Sequence, residues 1–286
     1  MKIPTVCIYC GTGCRLFLMI RNRKVVKVLP HQDGPGEGKL CIKGWSAHEF
    51  VHHPDRLKTP LIREEHGFRE ATWEEALEKV SNELREARDN HGSDSLAFLS
   101  SAKATNEENY LMQKLARATV GTNNIDHCAR LCHASTVTGL ISSFGSGAMT
   151  NSQEDIEEAD VIFVIGSNTS EQHPLISRRM ISATKKGTKI IVADPREIDL
   201  TAHAVLHLKH RPGSDVALLN GMMSVILEEG LQNNDFIDAR TEGFQEFRKR
   251  VEGYSPERIE RITGVPMKEI QEAARLFGEA NKASIF

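Results

Sequence analysis

The sequence has no apolar run long enough to cross a membrane, no twin arginine and no apolar leader core near its N-terminus. A membrane-spanning helix needs about 20 predominantly apolar residues, and a secretory leader needs an apolar segment behind a basic start. We therefore expect a protein without a membrane span, in a cytoplasmic and reducing location.

An excess of one charge is also missing, because 36 lysines and arginines stand against 39 aspartates and glutamates. Chains that bind nucleic acid or anionic membranes usually carry a clear positive balance, so no nucleic-acid partner is expected. The length of 286 residues suffices for one large domain or two moderate ones with buried cores.

Two nucleotide-binding motifs are absent, namely G-x-G-x-x-G and the P-loop pattern G-x-x-x-x-G-K-S/T. Their absence disfavours an ordinary NAD-binding or P-loop function. A disulfide framework is also disfavoured, because the six cysteines lie in a chain of 286 residues that shows no secretory leader.

Four of the cysteines form a spaced set near the N-terminus. Cys7, Cys10 and Cys14 lie in "VCIYCGTGCRLFLM" and Cys41 follows in "GKLCIKGW", which gives C-x2-C-x3-C-x26-C. Three close thiolates and one distant thiolate can hold the corners of a 4Fe–4S cluster, and the intervening glycines allow tight turns. Structural zinc sites prefer paired C-x2–4-C units. Zinc, or no metal, remains the alternative.

Two regions are predicted along the chain. Residues 1–60 are expected to form a small β-rich iron–sulfur domain in which "RLFLMI" and "KVVKVLP" make a hairpin. Residues 61–286 alternate helical patterns with short apolar runs such as "VIFVIG" and "KIIVAD". The run "SLAFLS" predicts a buried strand. This alternation predicts an α/β region with a Rossmann-like parallel sheet and helices on both faces. The final "KASIF" resembles the start of a strand, so we expect the region to be truncated at its C-terminus.

Helix boundaries are also marked in this second region. Thr72 is predicted to cap a helix that starts at "WEEALEKV", with Glu75 completing a capping box and Gly92 ending the helix.

Three predicted strands end in polar or glycine-containing loops, "GSNTSEQHP", "DPRE" and "HRPGSD". Ligands of open α/β sheets bind at the carboxyl ends of strands, so these loops together favour a nucleotide-bearing ligand. Asp194 is placed to grip ribose hydroxyls and Arg196 to meet a phosphate or a base, whereas Asp215 has an alternative role as a helix cap. Each loop alone also fits a plain turn. The candidate cofactor-binding residues are Gly166, Ser167, Asn168, Glu171, His173, Asp194, Arg196, Gly213 and Asp215.

A second pair of cysteines, Cys128 and Cys132, lies in "IDHCARLCHASTVTGL". A thiolate near a helix N-terminus has a lowered pKa and is a good metal ligand, and the adjacent His133 can exchange a proton near neutral pH. The alternative is a buried cysteine beside a capping histidine.

In combination, the four N-terminal cysteines, Lys43, "RLCH" and the "GSN", "DPR" and "PGSD" loops resemble the catalytic subunit of molybdopterin-dependent formate dehydrogenases, specifically its N-terminal part. The resemblance implies molybdenum or tungsten held by two molybdopterin guanine dinucleotides. It implies oxidation of formate to CO2, or the reverse, with electrons passing through the cluster to a partner subunit that carries flavin or iron–sulfur centres.

The same resemblance assigns roles residue by residue. Cys7, Cys10, Cys14 and Cys41 would be cluster ligands. Lys43 would lie between cluster and pterin, where its cation aids electron passage and cofactor binding. Cys132 would be the ligand of molybdenum or tungsten, and His133 would assist removal of the formate hydrogen. Cys128 receives no role.

One departure from the family pattern is length, since its catalytic subunits are usually well over twice as long and use the C-terminal half for further pterin contacts. The expectation is therefore a fragment or one piece of a split subunit. Two alternatives stay open: another molybdopterin oxidoreductase such as a nitrate reductase, or a non-catalytic electron-conducting subunit of the same fold.

Overall fold

The computed structural model describes residues 1–286, which form two compact units. Unit 1 consists of Met1–Tyr9, Leu16–Leu29 and Ile42–Thr150, and unit 2 consists of Cys10–Arg15, Pro30–Cys41 and Asn151–Phe286. The division near residue 60 that the sequence predicts stays a prediction. No helix among the 286 residues combines the length and the apolar character needed to cross a bilayer.

Unit 1 contains short strands and five α-helices. Its strands are β1 (Lys2–Val6), β2 (Arg15–Arg21), β3 (Lys24–Pro30), β4 (Leu61–Glu64), β5 (Gly67–Glu70), β6 (Phe98–Ser100) and β7 (Ile125–His127). The strand-end residues Arg15 and Pro30 belong to unit 2. Its helices are α1 (Ile42–Trp45), α2 (Trp73–His91), α3 (Asn106–Lys114), α4 (Ala129–Cys132) and α5 (Ala134–Phe144), with 3-10 turns at Glu49–His52 and Ser93–Ser95 and a π-helix at Leu115–Val120.

The predicted N-terminal hairpin is confirmed, because β2 lies beside β3 in a three-stranded sheet of order β1-β2-β3. The turn between them is formed by Asn22 and Arg23, which have φ values of 49° and 60°. Positive φ at both central residues is typical of the type I′ turns that match the twist of hairpin strands.

Helix α2 begins where the sequence predicts. The Thr72 hydroxyl accepts the N–H of Glu75 at 3.2 Å, and the helix ends at Gly92, whose φ is 83°. The Glu75 carboxylate binds Arg69 rather than the Thr72 N–H, so the second half of the predicted capping box is wrong. The strand predicted at "SLAFLS" is shorter than expected and is not buried throughout, since Leu99 is 83% exposed. It pairs in parallel with β7 alone, so only the face carrying Phe98 is covered.

Unit 2 contains a parallel sheet with helices. Its strands are β8 (Val161–Ile165), β9 (Lys189–Ala193), β10 (Leu206–Leu208) and β11 (Ala283–Ile285). Its helices are α6 (Asp155–Glu158), α7 (Thr169–Gln172), α8 (Pro174–Thr184), α9 (Asp215–Glu228), α10 (Asn234–Arg240), α11 (Phe244–Val251), α12 (Pro256–Thr263) and α13 (Met267–Gly278), with a 3-10 turn at Asp199–His203.

The four strands of unit 2 are all parallel and lie in the order β10-β9-β8-β11. Alternate residues of β8 point to opposite faces, as a strand requires. Phe163 packs in a core with α9, α12 and α13, whereas Ile162 packs in a second core with Met180 of α8. The predicted α/β class, with helices on both faces of a parallel sheet, is thereby confirmed.

Candidate functional site

Three of the four N-terminal cysteines belong to unit 2, and Cys7 belongs to unit 1. Cys14 is buried, and Cys10 and Cys41 are half-buried. The Cys10 Sγ lies 3.3 Å from the Thr12 hydroxyl, which could donate a hydrogen bond to the sulfur once the thiol is ionised. All six cysteines of the chain are thiols, so the set is chemically available to a cluster.

A tight turn packs against Cys14. A Cβ atom on Gly36 would lie 2.6 Å from the Lys39 carbonyl oxygen and 3.7 Å from Cys14 Sγ. Only glycine fits such a close approach of backbone to a neighbouring group. The thiol donors and this side-chain-free cradle fit an iron–sulfur cluster.

The residues are not arranged for a single ion. Among residues 1–286, no three His, Cys, Asp or Glu side chains are grouped as ligands of one metal ion. Structural zinc gathers its ligands about 2.0–2.3 Å from one centre, whereas a cubane binds each thiolate at a different corner. The choice between cluster and zinc therefore stays a prediction on geometry alone.

Lys43 lies on α1, two residues beyond Cys41, and its side chain is exposed. The helix is a single turn in which Gly44 is the buried residue. The cysteine and the lysine are thus held on one short stretch of backbone.

Cys132 and His133 lie at the break between α4 and α5, and both are exposed. His133 has φ −147° and ψ 23°, which interrupts the two helices. Cys132 therefore ends one helix and His133 directly precedes the next. This places a soft thiol and an imidazole side by side, accessible to a ligand.

An ion pair braces the α4 turn. Arg130 Nε lies 2.5 Å from Asp126 Oδ2, and this hydrogen bond is the main reason that the pKa of Asp126 is lowered. Cys128 is exposed, and its Sγ accepts the Ala102 N–H at 3.4 Å. Both contacts hold the backbone at the start of α4, ahead of Cys132.

In unit 2, the loop after β8 contains an unsatisfied acceptor. Asn168 is 9% exposed, and its Oδ1 has no hydrogen-bond partner within the protein. Gly166 has φ 61° and open space where a Cβ would stand, and the Ser167 and Thr169 hydroxyls lie 3.1 Å apart. A buried acceptor without a partner costs free energy, so this loop fits a polar ligand such as a pterin nucleotide.

Two further predicted residues lie beyond that loop. Glu171 is exposed on α7, and its N–H donates to the Asn168 carbonyl oxygen at 3.1 Å. His173 is half-buried and directly precedes Pro174, the first residue of α8.

The loop after β9 is built around Asp194, which is 4% exposed. Its Oδ1 accepts the Arg196 N–H at 2.8 Å, which closes a local turn, and its carbonyl oxygen lies 2.9 Å from His207 Nε2. The Arg196 side chain is 68% exposed. Asp194 therefore performs the turn role, and Arg196 is accessible to an anionic or aromatic ligand.

After β10, the alternative role of Asp215 as a helix cap is not observed, because Ser214 occupies the cap position of α9. Asp215 Oδ1 instead lies 3.1 Å from Nε2 of the buried His210. Gly213 has φ 79°, a left-handed conformation that favours glycine. Since β8, β9 and β10 are neighbouring parallel strands, the structure brings their three loops to one edge of the sheet.

One cavity of unit 2 lies away from these loops. It measures about 420 Å³ and is lined by Asp160, Val161, Thr188 and Lys189, at the amino ends of β8 and β9. Ligands of such sheets bind at the carboxyl ends, so the loops rather than this cavity are the candidate site.

Two long-range contacts within unit 2 could not be predicted from sequence patterns. Arg179 binds Glu37 and Glu157, and Gln153 Nε2 donates to the Thr12 carbonyl oxygen at 3.3 Å. Both connect the cysteine-bearing segments to residues more than a hundred positions later, and no local motif marks them.

Comparisons with known proteins agree with this geometry. The model of the molybdopterin oxidoreductase Fe4S4 domain matches residues 1–53, and that of molybdopterin oxidoreductase matches residues 56–278. The chain is 51% identical to the F420-dependent formate dehydrogenase 1 subunit alpha of Methanococcus maripaludis over 99% of its own length and 42% of that relative. It is 43% identical to formate dehydrogenase H of Escherichia coli, over 99% of the chain and 41% of the relative.

A solved structure, acetylene hydratase from Pelobacter acetylenicus, superposes with a TM-score of 0.83 at 26% identity, covering 99% of this chain and 40% of that one. The chain spans about two-fifths of the length of the curated relatives it matches. The two family models together cover nearly all of its residues. The chain belongs to the molybdopterin oxidoreductase family.

Proposed function

We propose that this chain carries the iron–sulfur and pterin-binding regions of the catalytic subunit of a formate dehydrogenase. The reaction converts formate to CO2, two electrons and one proton, or runs in reverse. The observation that carries the proposal is the 51% identity to a formate dehydrogenase alpha subunit over 99% of the chain. The exposed Cys132–His133 pair supports it from the geometry.

The proposal assigns four thiolates, those of Cys7, Cys10, Cys14 and Cys41, to a 4Fe–4S cluster. Lys43 supplies a cation close in sequence to the last ligand, where it lowers the energy of an electron passing outward. The Gly36 cradle beside Cys14 supports this assignment.

The proposal further assigns two molybdopterin guanine dinucleotides and molybdenum or tungsten to the active centre. The metal, when present, would accept the two electrons of formate. The soft thiolate of Cys132 is the protein ligand that the proposal gives to this metal. The neighbouring His133 imidazole is the group that takes the proton, as a positioned general base.

The polar loops of unit 2 bind the dinucleotide in this proposal. Asn168 offers its buried Oδ1 as an acceptor, Arg196 offers an exposed guanidinium to phosphate or guanine, and Gly166 and Gly213 leave room for close approach. The short segment around Glu171 and His173 completes the β8 loop, and Asp194 holds the turn that carries Arg196.

The partner in this proposal is a second subunit with flavin or iron–sulfur centres that accepts electrons from the cluster. Three of the relatives are named as F420-dependent formate dehydrogenase alpha subunits, so F420 is the first acceptor to test.

The deciding experiment measures reduction of a viologen dye and of F420 with formate, and dye oxidation with nitrate, on the natural complex that contains this chain. Formate-dependent reduction without nitrate activity supports the proposal. His133→Ala should retain the metal and lose a factor of roughly 10²–10⁴ in rate, the usual contribution of a positioned acid or base. Nitrate activity without formate activity would assign the chain to a different reductase.

A further inference from the structure

Arg179 is a buried cation on α8 that the proposed function does not use. Only 8% of its side chain is exposed, although arginine is normally a surface residue. Its Nη1 lies 2.8 Å from Glu157 Oε1 of α6. Its Nη2 lies 2.8 Å from Glu37 Oε1 and 3.2 Å from the Pro35 carbonyl oxygen. One guanidinium thus joins two helices of unit 2 to the turn that precedes Cys41.

The turn it holds is conformationally demanding. Gly34, Glu37 and Gly38 have φ values of 98°, 47° and 72°, and Glu37 is not a glycine. A non-glycine residue in the left-handed region persists only where its surroundings hold it there. The bond from Arg179 to the Glu37 carboxylate is such a restraint.

The same turn covers a cysteine. Gly36 lies between the two residues that Arg179 contacts, and it packs where a Cβ would be 3.6 Å from Cys14 Cβ and 3.7 Å from Cys14 Sγ. Displacement of the turn would therefore open the environment of the most buried thiol of the N-terminal set.

The contacts of Arg179 depend on the shape of its guanidinium. Arginine presents a planar fork of donors that matches two carboxylates and a carbonyl at once, which lysine cannot do. Arg179 is the buried member of these pairs, whereas the Glu37 and Glu157 side chains are 53% and 32% exposed. Its replacement therefore removes hydrogen bonds and packing without leaving a buried charge. A lysine at position 179 would keep the positive charge but would not make all of these contacts at once.

We infer that Arg179 is a positioning residue for the iron–sulfur site: through Pro35 and Glu37 it holds the turn that shields Cys14. The inference rests on the proposed cluster. Arg179 would act like the residues that lie behind metal ligands and orient them. Loss of such a residue costs about 10–100-fold in metal affinity or activity.

The test compares the wild-type complex with Arg179→Met, Arg179→Lys and Arg178→Met, all prepared anaerobically. Arg178 is the exposed neighbour on the same helix, so it is a matched control for loss of one positive charge. The readouts are iron per chain, the spectrum and midpoint potential of the reduced cluster, and the rate at which air bleaches the visible absorption. Circular dichroism reports the fold.

Arg179→Met should bleach about tenfold faster in air, the lower end of the effect of losing an outer partner, and should hold less iron. Arg179→Lys should fall between it and wild type, and Arg178→Met should match wild type. Glu37→Gln weakens the restraint without removing the buried cation, so it should bleach faster even if Arg179→Met fails to fold.

Wild-type bleaching and iron content in Arg179→Met, or in Glu37→Gln where the former does not fold, would overturn the inference. Equal effects of Arg178→Met and Arg179→Met would also overturn it, because net charge would then be the cause. A wild-type protein without iron would overturn the cluster assignment itself, and the inference with it.

Discussion

The backbone N–H of Cys132 donates a 3.0 Å hydrogen bond to the carbonyl oxygen of Cys128. The two cysteines are therefore one helical turn apart, and residues four apart on a helix share a face. Their chemical roles nevertheless differ in the proposal, since only Cys132 adjoins His133.

Cys132→Ala should abolish formate-dependent dye reduction, whereas Cys128→Ala should retain most of it. Cys128 accepts a hydrogen bond from Ala102, so its loss should cost only about 1 kcal/mol of stability. Activity and metal content of both variants, measured on the same complex, check this. Equal activity of the two variants would contradict the assignment of Cys132.

Lys43→Ala should slow electron exit while iron and pterin contents stay unchanged. The reason is that the side chain is exposed on α1, so its truncation should leave the core of the protein intact. Lys39, on the other side of Cys41, pairs with Glu37 at 3.8 Å, and Lys58→Ala offers an exposed control farther along the chain. The measurement is the formate-to-dye rate under conditions where electron transfer limits turnover, and an unchanged rate would argue against the role.

Asn168→Ala should lower the amount of guanine nucleotide that co-purifies with the complex. In cofactor-free protein the same change should leave stability unchanged or raise it by about 1 kcal/mol, because it removes a buried acceptor without a partner. Asn123→Ala, at an exposed position, is the control. Normal nucleotide content together with lower stability would show that Asn168 is a structural residue.

The pH dependence of stability should include a contribution from Glu157. Its pKa is lowered from an ordinary value of 4.5, first by the hydrogen bond from Lys186 and also by Arg179. A carboxyl whose pKa is depressed by folding stabilises the protein above its unfolded pKa and loses that effect as the pH falls through the folded value. Wild type should therefore lose extra stability below about pH 4.5 relative to Glu157→Gln.

Denaturant unfolding at several pH values between neutrality and pH 3 would measure this difference. Parallel curves for wild type and Glu157→Gln across the whole range would show that the carboxylate contributes nothing to acid sensitivity.

Local signals in the sequence account for much of the fold. The hairpin around Asn22, the cap at Thr72 and the strands of unit 2 depend on neighbouring residues and on short periodic patterns. The three polar loops could be found for the same reason, because each directly follows an apolar strand.

Other features depend on partners far along the chain. The contacts of Arg179 with Pro35 and Glu37 join positions 144 and 142 residues apart (179 − 35 and 179 − 37), and nothing near "RRM" marks them. The exposure of Leu99 was also missed, because an apolar run does not reveal how many strands or helices will cover it. The alternative of Asp215 as a helix cap was wrong, because the helix begins one residue earlier than that alternative requires and Ser214 occupies the cap position.

The alternation along β8 has a consequence for insertions and deletions in this chain. Ile162 and Val164 fill one core while Val161 and Phe163 fill the other, so a one-residue slip exchanges the contents of both. Deep mutational scanning should find single-residue deletions within Val161–Ile165 far more damaging than apolar replacements at the same positions.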